Sequence, residues 1–127
     1  MKTTQFPTLE ETLELHKVLV DQFGGQHGAR DTGLLQSALS RPQTGYYESL
    51  SLQAAALLQS LSQNHAFIDG NKRVAFALTA VFLRLNGYRL VVTANEGETF
   101  LIESVIQGKA DIEIISGWLE KHMQKAR

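Results

Sequence analysis

The chain has 127 residues, 43% of them hydrophobic, with 12 Lys and Arg against 13 Asp and Glu and a formal net charge of −1. That length suits a single domain whose core needs no covalent staples, and the near-neutral charge argues against broad electrostatic binding to nucleic acid. There is no cysteine, which excludes disulfides and thiolate metal sites and fits a reducing cytoplasm. The opening MKTTQFPTLEE holds no apolar stretch, so no signal peptide is expected. The apolar runs are interrupted by Gln, Ser, Thr or Arg, so no membrane span is expected either.

In chain order the pattern is helical with short connections. Thr8 followed by Glu11 forms a capping box that opens an amphipathic helix over Leu9 to Phe23. Leu9, Leu13, His16, Leu19, Val20 and Phe23 share one face of it, and Gly24-Gly25 ends it. Asp31 caps a short helix carrying Leu34, Leu35, Ala38 and Leu39, which must stop before Pro42. Pro42 to Leu50 reads as a loop with Gly45, Tyr46 and Tyr47, the tyrosines packing onto the domain. An Ala- and Leu-rich helix from about Ser51 to Gln63 is expected to be buried on most sides.

The loop HAFIDG follows, and then a long helix from about Asn71 to Asn86, stopped by Asn86-Gly87. Tyr88 to Val92 is a short extended segment. Thr93 and Glu96 make a second capping box, for a helix carrying Phe100, Leu101, Val105 and Ile106 and ending near Gly108. Asp111 caps a last helix whose buried face holds Ile115, Trp118, Leu119 and Met123. Its end is basic, with Lys121, His122, Lys125 and Arg127, as the helix dipole prefers. The reading is an all-α chain, one domain over residues 1–127 with about six helices and a functional loop between two central ones.

The chemistry concentrates in His65 to Arg73, HAFIDGNKR. His65 is suited to general-base work because imidazole titrates near neutral pH; its structural alternative is bridging the loop. Asp69 offers a hard oxygen ligand for Mg2+, which binds through one or two carboxylates plus substrate phosphates. It is also a good N-cap type for the helix that follows. Gly70 permits positive φ or a close approach of backbone to an anion. Asn71 either orients the turn or touches phosphate. Lys72 and Arg73 place two cations on the first turn of a helix, where the dipole disfavours them. A bound phosphate would compensate, and so would a surface ion pair with Asp69. Phe67 and Ile68 read as core anchors of the loop. An oxygen ligand, a turn, cations and a helix start, in that order, describe a phosphate site.

HAFIDGNKR resembles the signature of the Fic/Doc superfamily, and specifically of its death-on-curing branch. The Fic pattern is H-P-F-x-[DE]-G-N-G-R-x-x-R; the shorter death-on-curing pattern is H-x-F-x-D-x-N-K-R. His65, Phe67, Asp69, Asn71, Lys72 and Arg73 match the second, residue by residue. The segments from Arg30 to Gln43 and from Phe82 to Tyr88 resemble flanking blocks of the same branch. Three positions depart from the Fic pattern: Ala66 for proline, Lys72 for the glycine that seats the nucleotide, and Phe76 for the second arginine. A lysine side chain crowds a glycine-floored anion hole, and a phenyl ring pairs with no phosphate.

The resemblance therefore implies the toxin of a toxin–antitoxin pair, an ATP-dependent phosphotransferase that passes the γ-phosphate to a Ser or Thr hydroxyl of a translation factor, elongation factor Tu. It implies His65 as base, Asp69 on Mg2+, and Gly70, Asn71, Lys72, Arg73 and the helix start on the phosphates. It also implies a Phd-like antitoxin whose C-terminal segment folds on binding. The alternatives are AMP transfer of the Fic type, against which Lys72 and Phe76 speak, and a non-catalytic antitoxin-binding or corepressor module, against which His65, Asp69 and Arg73 together speak. TANEGE (Thr93 to Glu98) has an inviting Glu-Gly, but its spacing is one residue short of an inhibitory motif of the Fic type. His16, His27 and His122 lack metal-ligand spacing to one another.

Overall fold

The computed structural model describes residues 3–126. Six α-helices carry the fold: α1 Leu9–Phe23, α2 Thr32–Ser40, α3 Leu50–Gln63, α4 Asn71–Leu85, α5 Ala94–Thr99 and α6 Ile112–His122. A 3-10 turn, Arg41–Gln43, follows α2, and a π-helical segment, Phe100–Gln107, continues α5. Two three-residue strands, β1 Tyr88–Leu90 and β2 Met123–Lys125, pair antiparallel.

α3 is the centre. Ala54 to Leu58 are all buried, with Leu61 and Ser62 behind them, because α4 and α6 pack on one side and α2 and the π segment on others. α4 turns Val74, Ala75, Leu78, Phe82 and Leu83 into this core, and α6 adds Ile115 and Leu119. Polar side chains inside the bundle are satisfied locally. Ser51 donates to Glu120 at 2.7 Å and accepts from Ser116 at 3.0 Å, which fastens α3 to α6. α1 lies against α4, and just before it the Phe6 ring stacks on Phe82 at 5.3 Å.

Five of the six α-helices described start on a capping side chain, α4 being the exception. Thr8 and Glu11 form both halves of their box, and so do Thr93 and Glu96. Four departures have physical causes. The loop after α2 begins as a 3-10 turn through Pro42, and α3 starts at Leu50 because Ser49, not Ser51, caps it. The helix opened by Thr93 changes to π register at Phe100. One carbonyl near the end of that segment, Val105 O, accepts from Gln63 of α3, and Ala110 O just beyond it accepts from Gln59 of α3, both at 3.1 Å.

Third, α6 stops at His122. Met123 and Lys125 belong to β2, where pairing with Tyr88–Leu90 overrides a helix-compatible spacing; Arg127 lies outside the described residues. Fourth, several expected anchors are exposed: Phe23 at the end of α1, Ile68, and Tyr46, at 56%, 52% and 81%. Tyr47 does pack, its hydroxyl accepting from Arg41 Nε at 2.7 Å.

Candidate phosphate site at the start of α4

The loop from His65 to Gly70 is held by its backbone. Ala29 and Phe67 form an isolated antiparallel bridge. Ile68 N–H donates to Gly28 O at 3.1 Å, and Ala66 O accepts from the N–H groups of Arg30 and Asp31 at 2.7 and 3.0 Å. Arg30 adds a side-chain strap, Nη2 donating to His65 O at 2.7 Å. His65 sits at φ 51, the left-handed region that a non-glycine residue avoids. Strain of that kind persists only where surrounding bonds over-determine the backbone, and the Arg30 strap supplies one of them.

Phe67 is the anchor. It is 1% exposed, and its ring stacks on His16 of α1 with centroids 3.8 Å apart and an interplanar angle of 8°. The same imidazole lies with Nε2 2.8 Å from Asp69 O. A carbonyl only accepts, so Nε2 carries the proton and donates it. His16 is itself 3% exposed and thus fixes the loop at two points. In the sequence it was one more member of the inner face of α1; the signal to follow was a polar ring on an apolar face, which demands a partner.

Asn71 clamps the same residue. Its Oδ1 accepts from Phe67 N and its Nδ2 donates to Phe67 O, both at 2.9 Å. Its amide thus orients the turn. Asp69 is not the N-cap. Gly70 is, at φ 78 and ψ 17, and no side chain caps α4. Asp69 lies one residue earlier, where Oδ1 accepts from Gly70 N–H at 2.9 Å and Oδ2 from Gln26 N–H at 3.2 Å. The carboxylate is exposed and keeps unused lone pairs. Gln26, and Gly25 beside it, lie more than forty residues away in the chain and carry no local signal of this contact.

Lys72 and Arg73 are exposed on the first turn of α4, which contains no acidic residue. Of the two ways to compensate these cations, the ion pair with Asp69 does not form: among the described residues the one salt bridge joins His27 to Asp21. Arg73 instead lies over the Phe23 ring, Cζ 4.4 Å from the centroid. Phe76, one turn on, packs between Trp118 and Gly97, so it serves α4–α6 packing. A groove of about 370 Å3 beside the loop is lined by His16, Asp21, His27 and Phe67 among others, and none of Asp69, Lys72 or Arg73 lines it. These charged groups stand on an open face.

The site therefore brings together an exposed imidazole, an exposed carboxylate, two unpaired cations and an uncapped helix N-terminus. Fitness for Mg2+ follows from the donor: Asp69 is a hard oxygen ligand with free lone pairs, as a metal carried in by nucleotide phosphates requires. Among the described residues there is no group of three or more His, Cys, Asp or Glu that would hold a metal alone.

Comparison with known proteins agrees with this geometry. The family model described as Fic/DOC family matches residues 6–83, which include the whole loop. "Toxin Doc" of Mycolicibacterium smegmatis is 53% identical over 73 residues, 54% of this chain and 56% of that protein. "Protein kinase doc" of Escherichia phage P1 is 33% identical over 85 residues, 64% of this chain and 68% of that protein. The chain thus spans little more than half the length of the first relative and about two thirds of the second. With the six signature residues lying together across the loop and the first turn of α4, and the family model matching more than half of its length, the chain belongs to the Fic/DOC family.

Proposed function

We propose that this chain is the toxin of a toxin–antitoxin pair, a single domain over residues 1–127 that works in the cytoplasm. It transfers the γ-phosphoryl group of ATP to a Ser or Thr hydroxyl of a translation protein, with elongation factor Tu the foremost substrate. The relatives' names, a toxin and a protein kinase, support the class. No helix among the described residues is long and apolar enough to cross a membrane. The observation that carries the reading is the start of α4: a helix N-terminus with no side-chain cap, bearing Lys72 and Arg73 without a carboxylate partner. A transferred phosphoryl group supplies the missing negative charge.

The roles follow from position. His65 takes the proton of the target hydroxyl as its oxygen attacks the γ-phosphorus. The bond from that phosphorus to the β,γ-bridging oxygen breaks, and ADP leaves with the bonding pair. Lys72, Arg73 and the N–H groups at the start of α4, with Gly70 giving backbone access, neutralise charge on the phosphoryl oxygens. Asn71 holds the loop in shape. Asp69 would hold Mg2+, which would supply charge neutralisation to the nucleotide phosphates. Because the charged face is open, the docked protein substrate must itself exclude water. Control belongs to a Phd-like antitoxin that covers this face.

Phosphoryl transfer is favoured over AMP transfer by Lys72 and by Phe76, whose ring is committed to Gly97 and Trp118. The test is the intact mass of elongation factor Tu after incubation with ATP, Mg2+ and either this protein or its His65→Ala variant. A gain of roughly 80 Da that the variant fails to give is expected for γ-phosphoryl transfer. A gain of about 329 Da would replace the reaction with AMP transfer. No gain with either protein would refute this substrate.

A further inference from the structure

Asp69 and Arg73 stand four positions apart across the start of α4. Asp69 precedes the N-cap Gly70 and Arg73 lies on the first turn, so two opposite charges sit on one short segment. Pairing them would cancel the two charges that the proposed site needs. The structure keeps them apart, and both separating contacts come from the end of α1. The Arg73 guanidinium carbon lies 4.4 Å from the centroid of the Phe23 ring. The Asp69 Oδ2 accepts the Gln26 N–H at 3.2 Å. Gly25 lies between these contacts at φ +115, so near that a Cβ there would stand 2.9 Å from Asp69 Oδ2. Only glycine lets the turn close on the carboxylate. Phe23 is 56% exposed, so core packing does not account for an aromatic residue there.

We propose that the turn from Phe23 to Gln26 is a positioning element of the phosphate site, which holds Arg73 on an aromatic ring and Asp69 on a backbone amide so that the two do not neutralise each other before a nucleotide arrives. Phe23 is then a positioning residue that acts through Arg73. The inference rests on the reading of Asp69 and Arg73 as phosphate-site groups. Its physical basis is a near-balance: an exposed cation–π contact and an exposed ion pair are of similar strength. A ring already in place, with the carboxylate engaged elsewhere, decides between them. The ring covers the face of the guanidinium and leaves its in-plane N–H donors free for a polyphosphate, whereas an ion pair with Asp69 would occupy them and would have to be broken first. The site is thus ordered in advance, and less of the binding free energy goes into arranging it.

The test is a double-mutant cycle on the full chain, with Mg2+-free ATP as the probe so that Asp69 takes no part through metal. Phe23→Leu keeps an apolar side chain and removes the π face, and melting temperatures confirm that each variant folds. Phe23→Leu is expected to weaken ATP binding roughly two- to five-fold, the size of an exposed ion pair that must first be broken. In an Asp69→Asn background the same change is expected to have no effect, and Phe23→Trp is expected to match wild type. Equal weakening in both backgrounds would overturn the inference.

A second readout needs no nucleotide. The Arg73 Hε resonance is expected to be shifted upfield by the Phe23 ring in wild type and downfield, by a carboxylate hydrogen bond, in Phe23→Leu. In Phe23→Leu/Asp69→Asn it is expected at the free-arginine position. If wild type binds no ATP, the phosphate-site reading falls, and this resonance still decides whether Phe23 separates the pair. Identical Arg73 shifts in the single and double variants would show that it does not.

Discussion

Two kinds of helix start coexist in this molecule. Thr8, Asp31, Ser49, Thr93 and Asp111 each accept a backbone N–H at the head of α1, α2, α3, α5 and α6. α4 begins instead on Gly70 in the left-handed region, with no capping side chain and two cations in its first turn. The five capped starts satisfy their orphan donors internally, and helix stability explains them. The start of α4 gives up the cap and accepts unfavourable charge. It stays folded because the preceding loop is anchored from elsewhere: Phe67 between the core and His16, Asn71 on the Phe67 backbone, and Arg30 on His65. On the proposed reading, binding falls to the start of α4 and stability to the residues that anchor the loop before it.

The sharpest way to break that division is to remove the anchor and leave its neighbour. Phe67→Ala is expected to cost about 3–5 kcal/mol, since it empties a fully buried aromatic site. Ile68→Ala, at a half-exposed position, is expected to stay within about 0.5 kcal/mol of wild type. Denaturant unfolding measures both. Similar costs for the two would mean that the loop is not held through Phe67.

Next in size is Asn71→Ala. It leaves the Phe67 N–H and C=O without their partners in a partly buried place, at about 1 kcal/mol for each lost bond. The loop should loosen, so protein phosphorylation should fall along with stability. Unchanged phosphorylation alongside a loss of stability would assign Asn71 to folding alone.

Smaller again is the contrast between the two kinds of start. Thr8→Ala removes a cap and should cost about 1 kcal/mol without touching nucleotide binding. Gly70→Ala should cost a similar amount, about 1–2 kcal/mol, by forcing an alanine into the left-handed region. Unlike Thr8→Ala, it should also weaken ATP binding, read by calorimetry. If both variants bind ATP as wild type does, the start of α4 is only another helix end.

What the sequence made legible follows the range of the interactions. α1 runs from Leu9 to Phe23 as read, because Thr8, Glu11 and Gly24 act within one turn of its ends. The candidate residues of the proposed site could be read together because they are contiguous. The role of Asp69 was not, since its oxygens answer to Gly70 and to Gln26 on another element, and neither contact resembles an N-cap in the sequence. The strand that replaces the end of α6 depends on Tyr88–Leu90, some thirty-five residues earlier, while the spacing from Leu119 to Met123 fits a helix equally well. The π register after Thr99 also escapes pattern reading. Apolar spacing reports which face is inward, and the carbonyl partners that accompany the wider register are glutamines of α3.

Glu96 offers the finest test, because it isolates a capped start with no catalytic duty. Its carboxylate is held below its ordinary range, first by the hydrogen bond from Thr93 N–H, then by the Thr93 side chain, with His122 adding a smaller attraction. A carboxylate whose folded pKa lies below its unfolded one stabilises the fold above the unfolded value. That contribution is lost as pH falls through the folded value. Glu96 is fully exposed, so the effect should be small and should fade in high salt. Carbonyl-detected NMR titration should find Glu96 titrating below the ordinary range of a glutamate. Glu96→Gln should remove a small part of the acid-side slope of stability and leave phosphorylation of the substrate unchanged. If Glu96 titrates within the ordinary glutamate range, the reciprocal half of the α5 box does not persist in solution, and α5 would start on the Thr93 hydroxyl alone.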